Sequence, residues 1–558
     1  MKSINKYFAG IIFLVLTGIF NSCLNQLDIP QQGIQSIDDF YKTDEQAMNG
    51  LADVYGQFKD AYGYPYGILG AMNLMADDNY AGYGNMGDNG GHSHSLNSFT
   101  FDATRSSYLY NYCSGLIRRC NTILARVAPD SPVKRRILAE CHVIRAWTFS
   151  YMAQLFGGVP LIEEEITVLN AIAPRASIAE VWEFVNKDFE TAIASGELPS
   201  KSSVDDKENI LRITKEAAQA WYGKSLLWQG KWSESATQLN AVIHSGKYQL
   251  LGDAQLVNHL GDPDFGYVVR ATNNLSTESL FEFNAKNDQY GNSSGGLANA
   301  SAYGYAPSCG WRADMLNYRG GLYDYVPEID YIGQGNGAAS VVRKQLYDAF
   351  VEMEGENGFR LKGSIKTWDD FQALGIGINN VYYGSEGYWC FKNRVLRSEA
   401  GSWAFGTGYA EANTCSNTWK PMRYAEVLLN AAEACIRSND PGSALTYVNM
   451  VRERAHLAPL TSVTLADIKK EKRLELYKEG SRYIDLVRWE ALNDADGITA
   501  ANMLGEQGHF IPTFDGITVN HQAFILTEYG WKKGKHEVLP FPENELTANP
   551  MIEQNPGY

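Results

Sequence analysis

Glu471-Lys472-Arg473-Leu474-Glu475-Leu476-Tyr477-Lys478-Glu479-Gly480-Ser481-Arg482-Tyr483-Ile484-Asp485-Leu486-Val487-Arg488-Trp489 is the stretch on which the fold turns. It reads as a highly charged helical run with a definite order of Glu, Arg, Gly, Asp and Trp. A surface helix has no use for Gly480, because glycine costs about 1 kcal/mol against alanine inside a helix. Arg473, Arg482 and Arg488 fall within reach of Glu471, Glu475, Glu479 and Asp485 on neighbouring turns. By charge alone this is a solvated helix laced with ion pairs. The order is more specific than that reading needs.

Immediately upstream the pattern is clearest. Tyr424, Leu428, Ala431 and Cys435 form one apolar stripe, and Ala425, Leu429, Ala432 and Ile436 a second beside it. Arg423, Glu426, Asn430, Glu433 and Arg437 fill the remaining polar face. Two adjacent stripes mean a helix packed on two sides. Ser438 to Gly442 breaks it, with Asp440 placed to cap and Pro441 to occupy the first turn of a helix carrying Ala444, Val448, Val451 and Ala455. The N-terminal half repeats the style. A first helical segment runs from about Ser36 to Asp60. Ile137 to Leu155 steps by +4 and +3 and stops at Phe156-Gly157-Gly158-Val159-Pro160. Ile178 to Ala194 is another helix, and Ala217 to Gln229 pairs with Trp232 to His244 around Gly230. Helix pairs of this length joined by Gly or Pro turns are the mark of tetratricopeptide-type repeats. About four pairs are expected. They are interrupted between roughly Leu250 and Trp419 by a stretch rich in Gly, Asn, Ser, Tyr and Trp. A structureless loop that long is implausible, so it reads as an irregular inserted subdomain, with a short helix at Lys344 to Phe350.

The ends differ from the middle. Lys2 and Lys6 precede an apolar segment from Phe8 to Phe20, too short to span a bilayer, which ends at Asn21-Ser22-Cys23. That is the form of a signal peptide (residues 1–22) with Cys23 as the lipidated N-terminus of the mature chain; residues 23–35 would be its tether. The C-terminal Leu539 to Tyr558 is proline-rich and extended. The formal net charge of -16 argues against nucleic acid and against an anionic membrane surface held by electrostatics. Cys113, Cys120, Cys141, Cys309, Cys390, Cys415 and Cys435 are odd in number and widely spaced, which is no disulfide framework; Cys113, Cys120, Cys141 and Cys435 sit in helical patterns as buried thiols.

Together the E-K-R-L-E-L and E-G-S-R-Y-I-D-L-V-R-W pieces, Arg423 to Leu429 with Ala432-Glu433-Ala434, Arg145-Ala146-Trp147, Leu155 to Pro160 and the C-terminal tail resemble the SusD/RagB family over nearly the whole chain. The resemblance implies a mostly α fold, with about four irregular tetratricopeptide-like helix pairs supporting a loop-rich insertion. The parts would be residues 36–250, 251–419 and 420–558 of one integrated unit. It implies a lipoprotein of the outer membrane, facing the cell exterior. Such a protein binds oligo- or polysaccharide and delivers it to a SusC-like, TonB-dependent transporter. No catalysis and no cofactor are implied. Asp-rich loops such as Gly261-Asp262-Pro263-Asp264 leave room for a structural Ca²⁺, although no Ca²⁺ loop motif is present.

The family's glycan site lies where the insertion meets an N-terminal loop. Sugar recognition needs aromatic faces and a few amide, carboxylate or guanidinium groups. In the Gly/Asn-rich loop at 77–98 the candidates are Asp78, Asn79, Tyr80 and Tyr83; in the insertion they are Tyr303, Tyr305, Trp311 and Arg312, with Trp368, Trp389 and Trp403 behind them. The enzymatic patterns are poor. Gly82 to Gly87 matches G-x-G-x-x-G without a flanking strand and helix, and Gly291 to Gly295 matches G-x-S-x-G without the strand of a nucleophile elbow. Paired acids such as Asp77-Asp78 and Asp369-Asp370 read as solvated surface groups. Two other classes stay open: an α-helical glycoside-processing enzyme, and a scaffold whose repeats bind a protein.

Overall fold

The charged run is two helices with a turn between them. Leu465–Glu475 is capped by Thr464, whose hydroxyl accepts from the Asp467 N–H while Asp467 accepts in return. Arg482–Ala491 follows. Between them Lys478 and Gly480 have φ of 65° and 82°, the left-handed region that glycine enters without steric cost. Gly480 therefore sits at a break in the run, which resolves why a helix would tolerate it.

The computed structural model describes residues 40–63, 67–81, 91–104, 106–167, 172–207, 209, 211–283, 316–317, 325–326, 331–332, 341–375, 377–378, 386–394, 396, 398–399, 417–505, 508–514, 519–525 and 530–558. Most of them are helical. Asp44–Gly63 packs on Ser107–Arg126 and on Pro132–Phe156; Pro132–Phe156 packs on Ile178–Ala194; Lys215–Trp228 packs on Trp232–His244. Trp232–His244 then packs on Tyr424–Arg437, and that helix on Pro441–Arg454 and Leu465–Glu475. The helical layer thus continues directly from residue 244 to residue 424. Its boundaries follow local chemistry. Pro132 opens a helix whose cap, Ser131, accepts from the Lys134 N–H, and Asp440 caps the helix that Pro441 begins. The insertion's helix is longer than its periodicity indicated, Lys344–Glu354.

The main core is aromatic-rich, with Phe58 against Trp147, Trp221, Phe281 and Phe283, and a smaller separate cluster gathers Leu251, Leu256, Phe265, Tyr267, Val268 and Leu396. Phe281 and Phe283 belong to the strand Ser279–Phe283, which pairs antiparallel with Trp419–Arg423 as the chain re-enters the helices. The C-terminal tail is tied to the corner at residues 155–160. Leu539 N–H donates to the Leu155 carbonyl at 2.6 Å, and the Asn555 amide to the carbonyls of Phe156 and Leu539 at 3.0 and 2.6 Å. Two separately quoted pieces of the sequence are therefore one structural unit. Cys113, Cys120, Cys141 and Cys435 are buried thiols, as is Cys390.

The polar face expected on Tyr424–Arg437 is covered. Asn430 and Glu433 have no exposed surface and Glu426 has 3%. Glu426 takes Lys224 at 2.7 Å; Glu433 takes Arg488 through both oxygens at 2.7 Å and the Trp489 indole N–H at 2.9 Å.

Candidate functional site

The expectation of local ion pairs along a solvated helix does not hold. Glu471 is 1% exposed and Glu475 fully buried. Their partners are distant in sequence. Glu471 accepts from Arg360 of the insertion at 2.5 Å and from Arg452 at 3.1 Å. Glu475 meets Arg423 at 3.1 Å, Arg360 at 3.5 Å, and Arg454. Glu479 meets Lys392 of the insertion and Arg423, at 2.5 and 2.6 Å. Arg473 reaches back to Asp78 at 2.7 Å and Asp77 at 3.0 Å, and Arg482 takes Asp77 through two nitrogens at 2.8 and 2.9 Å. The local pairs are Arg488 with Asp485 three residues away, and Lys472 with Asp485 across the turn. Buried charges persist only when paired and hydrogen-bonded. The run is the clamp that fastens the N-terminal loop and the insertion to the helices.

Asp77 and Asp78 are accordingly interior groups, which overturns their reading as solvated acids. Burial works against Asp77's charge, but Arg473 and Arg482 hold its carboxyl at about 2. For Asp78, burial, reinforced by the negative neighbour Asp77, outweighs Arg473 and lifts the carboxyl above the ordinary range.

The clamp sets a surface where the two parts meet. Asn79–Tyr80 pairs antiparallel with Val341–Val342, and the Arg343 N–H donates to the Asp78 carbonyl at 3.1 Å. Val341–Val342 packs on Tyr388–Cys390, which pairs with Ile365–Thr367 so that Tyr388 lies opposite Thr367. The Lys344 N–H donates to Glu386 at 2.6 Å, fixing the helix Lys344–Glu354 against the same strands. Tyr347 on that helix places its ring centroid 4.8 Å from that of Tyr388. Trp368 follows Thr367, its N–H bonded to the Gly387 carbonyl at 3.2 Å. Tyr80, Tyr347, Tyr388 and Trp368 are all half-buried, each keeping part of its surface in solvent. Asp348, Glu386 and Asp369 stand near the two phenols, whose rings are tilted by 33°; burial first, then these carboxylates, push Tyr388 up to about 12, so it is a neutral hydrogen-bond donor at physiological pH.

Of the sequence candidates, Tyr80 lies on this surface. Asp78 and Asn79 lie under it, each 1% exposed: Asp78 holds Arg473, and the Asn79 amide donates to the Asn73 carbonyl at 2.8 Å. Trp389 is fully buried against Phe371. Tyr83, Tyr303, Tyr305, Trp311, Arg312, Trp403 and Cys23 lie outside the described residues, as do both glycine motifs. Tyr347 and Tyr388 were not singled out from sequence. Tyr347 sits in an amphipathic helix and Tyr388 beside a core tryptophan, and only the strand pairing brings them together. At the Ca²⁺ candidate loop, Asp264 is spent on the Gly266 N–H at 2.8 Å and Arg394 at 2.9 Å. Among the described residues no group of three or more His, Cys, Asp or Glu side chains is placed to hold a metal ion.

Comparison with known proteins gives one family from both ends of the chain. Residues 366–558 match the model described as "SusD family", and residues 51–227 the model described as "Starch-binding associating with outer membrane". A SusD-like protein, P38, of Formosa agariphila is 23% identical, with 89% of this chain and 95% of that one covered. Surface glycan-binding protein A from Bacteroides uniformis superposes with a TM-score of 0.70 at 22% identity, covering 92% and 99% of the two chains. The corresponding protein from Bacteroides thetaiotaomicron, solved in complex with laminarihexaose, gives 0.68 at 22% identity, covering 92% and 99%.

Proposed function

Since this chain belongs to the SusD/RagB family, we propose that it captures an oligo- or polysaccharide at the cell surface and passes it to a SusC-like, TonB-dependent outer-membrane transporter. The observation that carries the reading is the aromatic surface at the junction of the N-terminal loop and the insertion. Tyr80, Trp368 and the adjacent pair Tyr347 and Tyr388 offer apolar faces to sugar rings, with neutral phenols and nearby carboxylates to bond hydroxyls. Tyr83, Tyr303, Tyr305, Trp311 and Arg312 would extend this surface. The rigid clamp beneath it suits binding, because a preformed surface loses little entropy on taking a ligand. The laminarihexaose complex of the B. thetaiotaomicron relative makes a glucan the first ligand to try.

Membrane attachment is assigned to a lipid on Cys23. No helix among the described residues is long and apolar enough to cross a membrane. The bound glycan is not cleaved. Asp77 and Asp78, the paired acids beneath the surface, are buried and salt-bridged, and so are unable to act as an acid–base couple across an open cleft, and of the pair beside Trp368, Asp370 is engaged by the Thr367 N–H at 2.8 Å.

Calorimetric titration of the lipid-free protein against neutral and acidic polysaccharides, each mixture then assayed for new reducing ends, tests this. Saturable binding without new ends is the expected result. New ends would make the protein an enzyme. Silence across the panel, with co-purification of a barrel, would make it a scaffold.

A further inference from the structure

The rim of the aromatic surface is uneven in charge. Asp348 follows Tyr347 on the helix Lys344–Glu354, Glu356 lies just past the end of that helix, and Asp369 follows Trp368. Burial first, then Glu356, Asp370, Asp348 and Asp369, raise the Tyr347 phenol above its ordinary range. Asp348, Glu386 and Asp369 act on Tyr388 in the same sense.

Cations stand nearby, but each is committed or buried. The Lys344 ammonium bonds both oxygens of Asp348, at 2.6 and 2.8 Å. Lys362 lies 3.3 Å from Asp370. Lys366 carries its ammonium over the Phe391 ring, 4.5 Å from the centroid, and donates to the Lys362 carbonyl at 3.3 Å. Arg343, just before the helix, is 4% exposed. Asp369 and Glu356 differ from the other acids. Both are exposed, and neither has a cationic partner among the described residues.

A carboxylate or sulfate on a sugar ring laid against Tyr347 and Tyr388 would therefore meet two unpaired negative charges and no free cation. A hydroxyl meets no such penalty, since it donates to a carboxylate and accepts from a phenol. We infer that the aromatic surface takes uncharged glycans and excludes those bearing uronate or sulfate, with Asp369 and Glu356 setting the selection. The rim is not a site of its own. The inference rests on the proposed function and narrows the class of glycan captured there.

The magnitude is set by screening. A like charge about 7 Å away in water weakens binding about threefold, so two such charges weaken it about tenfold. The effect fades as salt shortens the Debye length, from about 20 Å at 20 mM to about 4 Å at 500 mM. The chain's net charge of -16 repels polyanions as well, so the test must separate the rim from the whole molecule.

The probes are laminarin, starch and galactan, each beside a sample whose primary hydroxyls have been oxidised to carboxylates, with alginate and carrageenan as natural polyanions. Calorimetry of the lipid-free protein in 20 mM and 500 mM NaCl reads the affinities. At least one neutral polymer should bind, and its oxidised form should bind about tenfold more weakly in 20 mM salt, with the gap falling to about two- or threefold in 500 mM. D369N/E356Q should narrow the low-salt gap at least about fivefold. Its amides keep an acceptor for a sugar hydroxyl, so the neutral polymer should bind within about threefold of wild type. E45Q/E164Q removes two exposed acids elsewhere on the chain and should leave the gap as it was. An oxidised polymer bound as tightly as its neutral parent in 20 mM salt would overturn the inference. So would a gap that D369N/E356Q narrows no more than the control does. Binding of alginate or carrageenan alone would overturn it and leave glycan capture standing, whereas silence from every polymer would sink the proposed function and this inference with it.

Discussion

Arg473→Met probes the clamp at the point where it reaches the N-terminal loop. Arg473 gives Nε to Asp78 at 2.7 Å and Nη2 to Asp77 at 3.0 Å. Asp77 keeps its two bonds from Arg482 in the variant; Asp78, 1% exposed, loses its ion-pair partner. Removing one member of a buried pair costs about 3–5 kcal/mol. If the 558-residue chain unfolds as one unit, that lowers the melting temperature by about 3–4 °C. The sign of the pH dependence is fixed as well. Asp78 is already lifted above the ordinary carboxylate range by burial and by Asp77, and losing Arg473 lifts it further. A carboxyl whose folded pKa exceeds its unfolded value is penalised above the folded pKa and relieved as pH falls through it. The deficit of the variant against the wild type should therefore be largest near pH 7–8 and shrink toward pH 5. Urea unfolding at several pH values measures it, and D78N/R473M should recover more than half of the loss at pH 7. A deficit below about 1 kcal/mol, or one that grows on acidification, would refute the assignment of a charged, paired Asp78.

Other outcomes follow from the same contacts. Y347A, Y388A and W311A should each weaken glycan binding about tenfold, worth about 1.4 kcal/mol, without lowering the melting temperature by more than a degree or two; unchanged isotherms would remove the residue concerned from the site. His536 is buried among Phe99, Phe101 and Tyr558, its Nδ1 accepting the Lys532 N–H at 2.8 Å, and burial, then Lys535 and Lys532, depress it to about 4. Its folded pKa lies below the unfolded value near 6.5, so its contribution is present above pH 6.5 and is lost as pH falls from there to about 4; H536F should show a flatter melting profile over that window. Gly480→Ala places a Cβ at φ 82°, 3.2 Å from Leu69 Cδ1, and should cost at least about 1–2 kcal/mol in chemical denaturation.

Helix positions were legible because apolar stripes and caps are local signals. Ile178–Ala194 and Trp232–His244 begin and end where periodicity puts them, and Asp440 with Pro441 opens its helix as residue type dictates. Partners of the charged residues were not legible. Glu475 has Arg473 and Lys472 beside it in sequence, yet its counter-ions come from Arg360, Arg423 and Arg454 on three other segments. Periodicity gives the face on which a side chain lies, not what covers that face. Glu433 reads as solvent-facing until Arg488 and Trp489 are seen lying over it. For the same reason the aromatic surface was reached from one side only. Tyr80 stands out in a Gly/Asn-rich loop, whereas Tyr347 and Tyr388 become neighbours through pairings between residues separated widely along the chain.

The seam between the C-terminal tail and the 155–160 corner bears on the order of synthesis. Asn555 supplies a hydrogen bond to a carbonyl 399 positions earlier. The helix Pro132–Phe156 emerges from the ribosome long before the segment that closes its C-terminal corner. Until residues 539–555 arrive, Phe541 is missing from its place against Tyr110 and Phe156, and that part of the interior stays open. A corner closed by contacts between segments this far apart in sequence is a non-local contact of the kind that forms late and slowly in folding.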